Sequence, residues 1–375
     1  MRDLFDLSKV RVFPLEQRRS LTRVEQILVE PDSAPRETTP FARTAIDRCA
    51  AEILAARQRD AAVMLIYGAH LLRNGAALIL DRMMQKGWIG HLATNGAGTI
   101  HDWEYAFLGR STESVEDNVA AGTFGTWDET SRNIHLALLA GGTQGEGYGT
   151  ALGRLIHEDG VTLPETSDLE AQLRADPSHP LSPARAELLV SMRTHGLKAG
   201  WQAVKHPWKQ ASILGHAFRH NVPMTVHPGI GYDIVSNHPI FNGAAIGRAA
   251  TIDFRMFAHT VNRLDGGVVL SVGSAIMGPQ VFEKTLSCAN NLRLNSGGKV
   301  VQGHSIYVVD LQDGGNWDWT QGEPPKTNPA YYLRFCKSYS RMGGAMHYVQ
   351  NDNLNFIHHL YHALLRLDSR RTSKP

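Results

Sequence analysis

Apolar positions along the chain follow two rhythms. Residues 62–68 (AVMLIYG) form a continuous apolar run of strand length, the pattern of a strand buried on both faces. The run enters a polar, glycine-containing turn. Residues 74–86 then take up helical spacing, with Lys86 in the last turn and Gly87 as the stop. A short second strand ends in Thr94-Asn95-Gly96-Ala97-Gly98-Thr99. The stretch reads as a β-α-β unit, and in an open parallel sheet ligands gather where strands end and loops diverge.

The same alternation continues. Residues 1–40 are polar and broken by Pro14, Pro31, Pro35 and Pro40, which predicts an extended arm; residues 10–15 within it read as a strand or as a strap over a neighbouring subunit. Residues 41–58 have helical spacing. Further on, helices are predicted over 114–121, with Ser114 and Asp117 at cap spacing, and over 130–139, 184–196, 208–220, 250–264, 279–291 and 354–367. Strands are predicted over 221–227, 267–272 and 305–310, each entering a polar turn. Residues 157–183 read as a surface excursion, and the run Gly141–Gly149 as a mobile loop between helices. Its Gly145-x-Gly147-x-Gly149 follows a helix and not a strand, so it lacks the context of a dinucleotide fingerprint. The predicted fold class is α/β: a Rossmann-like doubly wound, mostly parallel sheet with helices on both faces. It occupies a single domain over 41–367, followed by a disordered tail at 368–375.

Composition narrows the class. With 42% hydrophobic and 20% charged residues, the chain has the make-up of a soluble globular protein. The net charge of +2 argues against nucleic acid or a membrane surface as a partner. Cys49, Cys288 and Cys336 are widely spaced and odd in number, so no disulfide framework or zinc ribbon is predicted; free thiols suit a cytoplasmic location. The N-terminus lacks the apolar segment of a signal peptide, and no apolar run reaches membrane-spanning length.

Candidate chemistry gathers at strand ends. Thr94, Asn95, Gly96 and Gly98 suit a cofactor, because glycine lets the backbone approach a ligand closely. His101, Asp102 and Glu104 follow; a histidine oriented by a carboxylate can transfer protons, although the same cluster could serve a helix start. His227 and Asp233 lie in a second strand-end loop. Trp317 and Trp319 flank Asp318, a setting for a bound cation, a nicotinamide ring or a subunit contact. His358 and His362 are four apart, yet no HExxH accompanies them, so no metal is predicted and a surface or interface helix is preferred. Cys336 has no histidine nearby in sequence to activate it.

The order of these loops resembles deoxyhypusine synthase. The counterparts are residues 69–75, then 94–98, then 229–233, then 272–274, then 313–318, spanning roughly residues 40–365. The resemblance implies an NAD-dependent enzyme, a homo-oligomer (a tetramer) with a small-molecule substrate. It implies Asn74, Gly75, Gly229, Gly231, Gly273, Ser274 and Asp310, with the 94–98 loop, as cofactor contacts. His101, Asp102, Asp233 and Lys337 are its implied catalytic groups, and Glu104, His227, Trp317 and Asp318 its implied substrate contacts. Departures are as informative. Ile100 and His101 stand where the family carries an acid pair for its amine substrate, and the family's Trp-Gly-Lys triplet is absent, Lys337 in Arg334-Phe335-Cys336-Lys337 falling nearest. The expectation is a divergent paralogue that oxidises an amine-bearing small molecule, with transfer or elimination through an imine, and does not make deoxyhypusine. The alternatives are an NAD-binding regulatory or scaffold subunit without catalysis, and a hydrolase or lyase on the same fold.

Overall fold

The computed structural model describes residues 4–372. The chain divides into two compact units, one built from residues up to Ile27 with Thr99–Arg219 and Met224–Asp253, the other from Leu28–Gly98, His220–Pro223 and Phe254 onward. Six strands matter below: β1 (Val63–Tyr67), β2 (His91–Asn95), β3 (Met224–His227), β4 (Val268–Val272), β5 (Ser305–Asp310) and β6 (Ala345–Gln350). β3 belongs to the first unit. The other five lie in the second, parallel, in the order β6-β5-β4-β1-β2.

That order contains a reversal. The chain steps outward from β1 to β2, then returns to the other side of β1 with β4 and continues through β5 to β6. The switch point falls between β1 and β4, with helices covering the sheet as the α/β class predicts. β1 and β4 are buried at every position, as the apolar run of β1 and the nearly continuous one of β4, interrupted by Ser271, require. Met64, Ile66, Val269, Ile306 and Val308 pack with Phe257, Phe282 and Tyr339 in one core.

β6 was not predicted. Its sequence AMHYVQ mixes polar and apolar residues because it flanks only β5 in this unit, and Gly343-Gly344 disguise its start. The helix expected over 74–86 runs Ala77–Gln85, and the turn expected before it holds a further short helix, Ala69–Arg73; the two are separated where Gly75 adopts φ +92°. The last helix runs Asn353–Thr372, so the tail expected from 368 is helical to 372; residues 373–375 lie outside the described residues.

The second unit also holds residues 28–38, strapped to the last helix. His358, His359 and His362 donate Nε2–H to the carbonyls of Pro31 (3.2 Å), Arg36 (2.7 Å) and Ser33 (3.0 Å), and Asn355 donates to Glu37 O. The i, i+4 histidine pair is therefore spent on backbone, and no metal-holding cluster occurs among the described residues.

In the first unit, Phe13 N–H donates to Thr126 O (2.9 Å) and Asp128 N–H to Phe13 O (2.8 Å), so this part of the arm packs on its own chain. The 157–183 segment is ordered as strand Gly160–Leu163, paired antiparallel with Gly200–Ala203, and helix Thr166–Ala175. The glycine run is clamped. The Asp253 carboxylate accepts Gly149 N–H (3.0 Å) and Val226 N–H (2.7 Å), pinning the start of helix Tyr148–Glu158 to β3. No helix among the described residues is long and apolar enough to cross a membrane.

Candidate active site

At the carboxyl edge of the second unit's sheet the register aligns Tyr67, Val272 and Val309. The next residues on the three strands are Gly68, Gly273 and Asp310. Gly68 N–H donates to Val272 O (3.2 Å) and Gly273 N–H to Val309 O (3.0 Å), which carries the ladder to its last rung. A Cβ on Gly68 would run into the Gly273 carbonyl, and one on Gly273, at φ +63°, into the Asn353 amide. Only glycine fits either position, and the row lies at the topological switch point.

The connection after β4 is a strand-turn-helix. Ser274 Oγ accepts Gly278 N–H (3.1 Å) at the start of the 19-residue helix Met277–Asn295. Gly278 is required for packing, because a Cβ there would crowd the Tyr339 hydroxyl. The following strand, β5, ends in Asp310, whose carboxylate accepts Gln312 N–H (3.1 Å). Buried Asn353 presents an Oδ1 with no hydrogen-bond partner beside Gly273.

At the end of β2, Thr94 Oγ1 donates to Tyr67 O (3.0 Å), tying that strand end to β1. Asn95 Oδ1 accepts Gly98 N–H (2.9 Å), and Gly98 leaves room for the Thr94 side chain. Gly96 opens the helix Gly96–Leu108. Asn74 and Gly75 occupy the break between the two short helices, where Gly75 O accepts Val29 N–H (3.2 Å).

The first unit organises the remaining groups into networks. Glu104 is fully buried and receives both guanidinium ends of Arg18 (2.7 and 2.8 Å), the Thr130 hydroxyl (2.9 Å) and the Ser111 hydroxyl (2.5 Å). Burial alone would raise its pKa, but the Arg18 charge overrides this and holds the carboxyl below its ordinary value. Since Ser111 spends its proton on Glu104, its oxygen accepts from His101 Nδ1–H at 2.7 Å. Glu104 thus steadies His101 through Ser111 and has little capacity left for a ligand. Asp102 points elsewhere: it accepts the Ser212 hydroxyl and the N–H groups of Ile213 (2.8 Å) and Leu214 (3.2 Å), starting a short helix. Burial pushes it up to about 7 against those donors.

In the loop after β3, Asp233 accepts Gly229 N–H at 2.7 Å, and Gly231 takes φ +95°. Burial raises the Asp233 carboxyl to about 6, and burial lowers His227 to about 4.

Lys337, in helix Arg334–Ser340, pairs with Glu323 at 2.8 Å and lies 3.2 Å above the Tyr331 ring. Trp317 Nε1–H donates to Gly322 O (2.9 Å). The Asp318 carboxylate caps its own turn, accepting Thr320 N–H (3.0 Å) and Thr320 O–H (2.7 Å), and the Thr320 hydroxyl leads in holding its pKa below the usual value. Cys336 is buried.

The sequence does not single out Gly68, Gly278, Asn353 or Asp253, and Arg18, which beside Arg19 reads as a solvated basic end, is instead buried against Glu104. A glycine directly after an apolar strand was the available signal for Gly68. Nothing local marks the others, because their partners lie far away in sequence.

The sequence matches no protein-family model and no curated protein. Among solved structures, the chain is similar to apo ArgZ, an arginine dihydrolase from the ornithine–ammonia cycle in cyanobacteria (TM-score 0.44, 11% identity, 88% of this chain and 33% of that one). It is also similar to AgrE in ternary complex with ornithine and NAD+ (TM-score 0.44, 13% identity, 89% and 35%). A third is a protein from Entamoeba histolytica assigned as a deoxyhypusine synthase (TM-score 0.41, 9% identity, 88% and 90%). The chain spans about a third of the length of the ArgZ and AgrE chains. These are likenesses of chain path.

Proposed function

We propose that the second unit binds NAD at the β1/β4 switch point and that the protein is an NAD-dependent enzyme acting on an amine-bearing small molecule. The observation that carries this reading is the row Gly68, Gly273, Asp310. Two glycines that tolerate no Cβ give a ligand access to bare backbone. The strand-turn-helix after β4 offers N–H groups suited to a pyrophosphate, and a carboxylate ending the next strand is the group that hydrogen-bonds a ribose hydroxyl. Gly273, Ser274 and the Asn353 amide would hold the phosphates, and Asp310 the adenosine ribose. NAD, when bound, supplies a hydride acceptor for a C–H bond next to an amine nitrogen.

Within the first unit, the groups suited to moving a proton are His101, whose ring is oriented through Ser111 by the buried Glu104, and Asp233, a buried carboxyl whose pKa near 6 suits exchange around neutrality. Lys337 would have to leave both Glu323 and the Tyr331 ring before it could form an imine. That contact favours elimination or release over transfer to lysine, and it is also the observation behind a second reading, an NAD-binding subunit without catalysis. Calorimetric titration with NAD+, followed by single-turnover assays for reduced cofactor across a panel of amines, separates the two. Absence of NAD binding removes both.

A further inference from the structure

A cleft of about 550 Å³ opens within the second unit, between the start of helix Pro40–Gln58 and the loop after β5. Its walls include Phe41, Arg48, Tyr307, Trp317, His347 and Tyr348. A second compartment of about 330 Å³ shares Phe41, Trp317 and Tyr348 with it and extends the groove. The volume is that of a small-molecule site.

The polar handles of its rings are already used. Tyr307 O–H donates to Glu52 (2.8 Å), Tyr348 O–H to Gln312 O (2.5 Å) and Trp317 Nε1–H to Gly322 O (2.9 Å). These bonds fix the rings and leave chiefly their apolar surfaces for a ligand. Buried Tyr307 backs His347, their rings 5.0 Å apart and tilted by 36°. Phe41 is 61% exposed at the mouth, apolar surface that a planar occupant would cover.

Donor availability, and not net charge, picks out the anchor for that occupant. Asp318 lines the cleft and Glu52 lies behind it, both negative, but their oxygens already accept bonds from Thr320, Gln321 and Tyr307. Arg48 makes no ion pair or hydrogen bond among the described residues, while its charge is felt at Tyr307 and His347. A guanidinium with all its donors available, beside pinned aromatic surfaces, matches a carboxylate carried on a flat ring.

We propose that this cleft is a binding site for an aromatic carboxylate, with Arg48 holding the carboxylate and Phe41, Trp317 and His347 enclosing the ring. None of Gly68, Gly273 and Asp310 lines this cleft, and the proposal does not depend on NAD binding.

The test is calorimetric titration of the full chain with 2-naphthoate, 2-naphthylmethylamine and cyclohexanecarboxylate. The expected result is saturable naphthoate binding, at least tenfold weaker binding of cyclohexanecarboxylate, and none of the amine. Arg48→Gln should weaken naphthoate at least tenfold and Arg48→Lys less; both should fold, since Arg48 carries no contact on which the fold depends. Phe41→Ala should weaken naphthoate while keeping the preference for the anion. Equal affinity for the amine and the acid, unchanged naphthoate binding in Arg48→Gln, or no naphthoate binding at millimolar concentration would overturn the proposal.

Discussion

Gly68 and Gly273 meet at the carboxyl ends of β1 and β4 so closely that a single added methyl on Gly68 would collide with the Gly273 carbonyl. Their strands are hydrogen-bonded neighbours at the point where the sheet order reverses. A parallel sheet opens a crevice there because connections leave in opposite directions.

Gly273→Ala should abolish NAD binding. The substitution meets Asn353 and forces alanine to φ +63°, a backbone cost of about 1–2 kcal/mol. Gly122→Ala is the control, with a similar φ of +69° and open space around it. It should lose the backbone cost alone and keep NAD affinity. Calorimetry with NAD+ and urea unfolding of both variants provide the comparison; equal affinities would remove Gly273 from the site.

Arg18→Ala should destabilise the protein by about 3–5 kcal/mol, because it strands the Glu104 carboxylate in a buried position. Arg18→Met combined with Glu104→Leu should recover much of that loss, since no buried charge remains. Chemical denaturation at neutral pH reads both effects. A single variant as stable as wild type would show that the pair is hydrated.

Asp102 gives a pH signature. Its carboxyl moves from an ordinary 3.8 to about 7 on folding, chiefly through burial. The folded state therefore holds the proton more tightly than the unfolded chain. The stability it contributes is complete below about pH 4 and is lost as the pH rises through about 7, at about 1.4 kcal/mol per unit of separation as an upper bound. Asp102→Asn should flatten this part of the profile. Urea midpoints at pH 5 and pH 8 check it: the wild type should lose more stability than the variant over that interval.

Lys337→Ala should leave NAD affinity within twofold, because the lysine is engaged by Glu323 and Tyr331. Borohydride added with an amine substrate should leave no adduct on Lys337 if the reaction ends in elimination. An adduct found by peptide mass spectrometry would restore the lysine as the imine-forming group.

The strap over residues 28–38 should open when its histidine contacts are lost. His359→Ala with His362→Ala removes two of the bonds to its carbonyls. Trypsin should then cut after the exposed Arg36 several times faster, while zinc added to the wild type should not raise its melting temperature. Zinc-dependent stabilisation would revive the metal reading of this helix.

The alternation of apolar strands and amphipathic helices was legible in the chain, because burial on both faces of a parallel sheet demands runs such as Val63–Tyr67 and Val268–Val272. So was the placing of polar, glycine-rich turns after those strands. The sequence could not supply the strand order, since β1 and β4 are neighbours across about two hundred residues, nor could it distinguish Glu104 as the partner of Arg18 from Glu104 as a ligand group. Local spacing determines which backbone segments can be strands or helices. Which charges are spent, which glycines face a neighbouring carbonyl and which guanidinium remains unpaired depend on contacts that only the folded chain brings together.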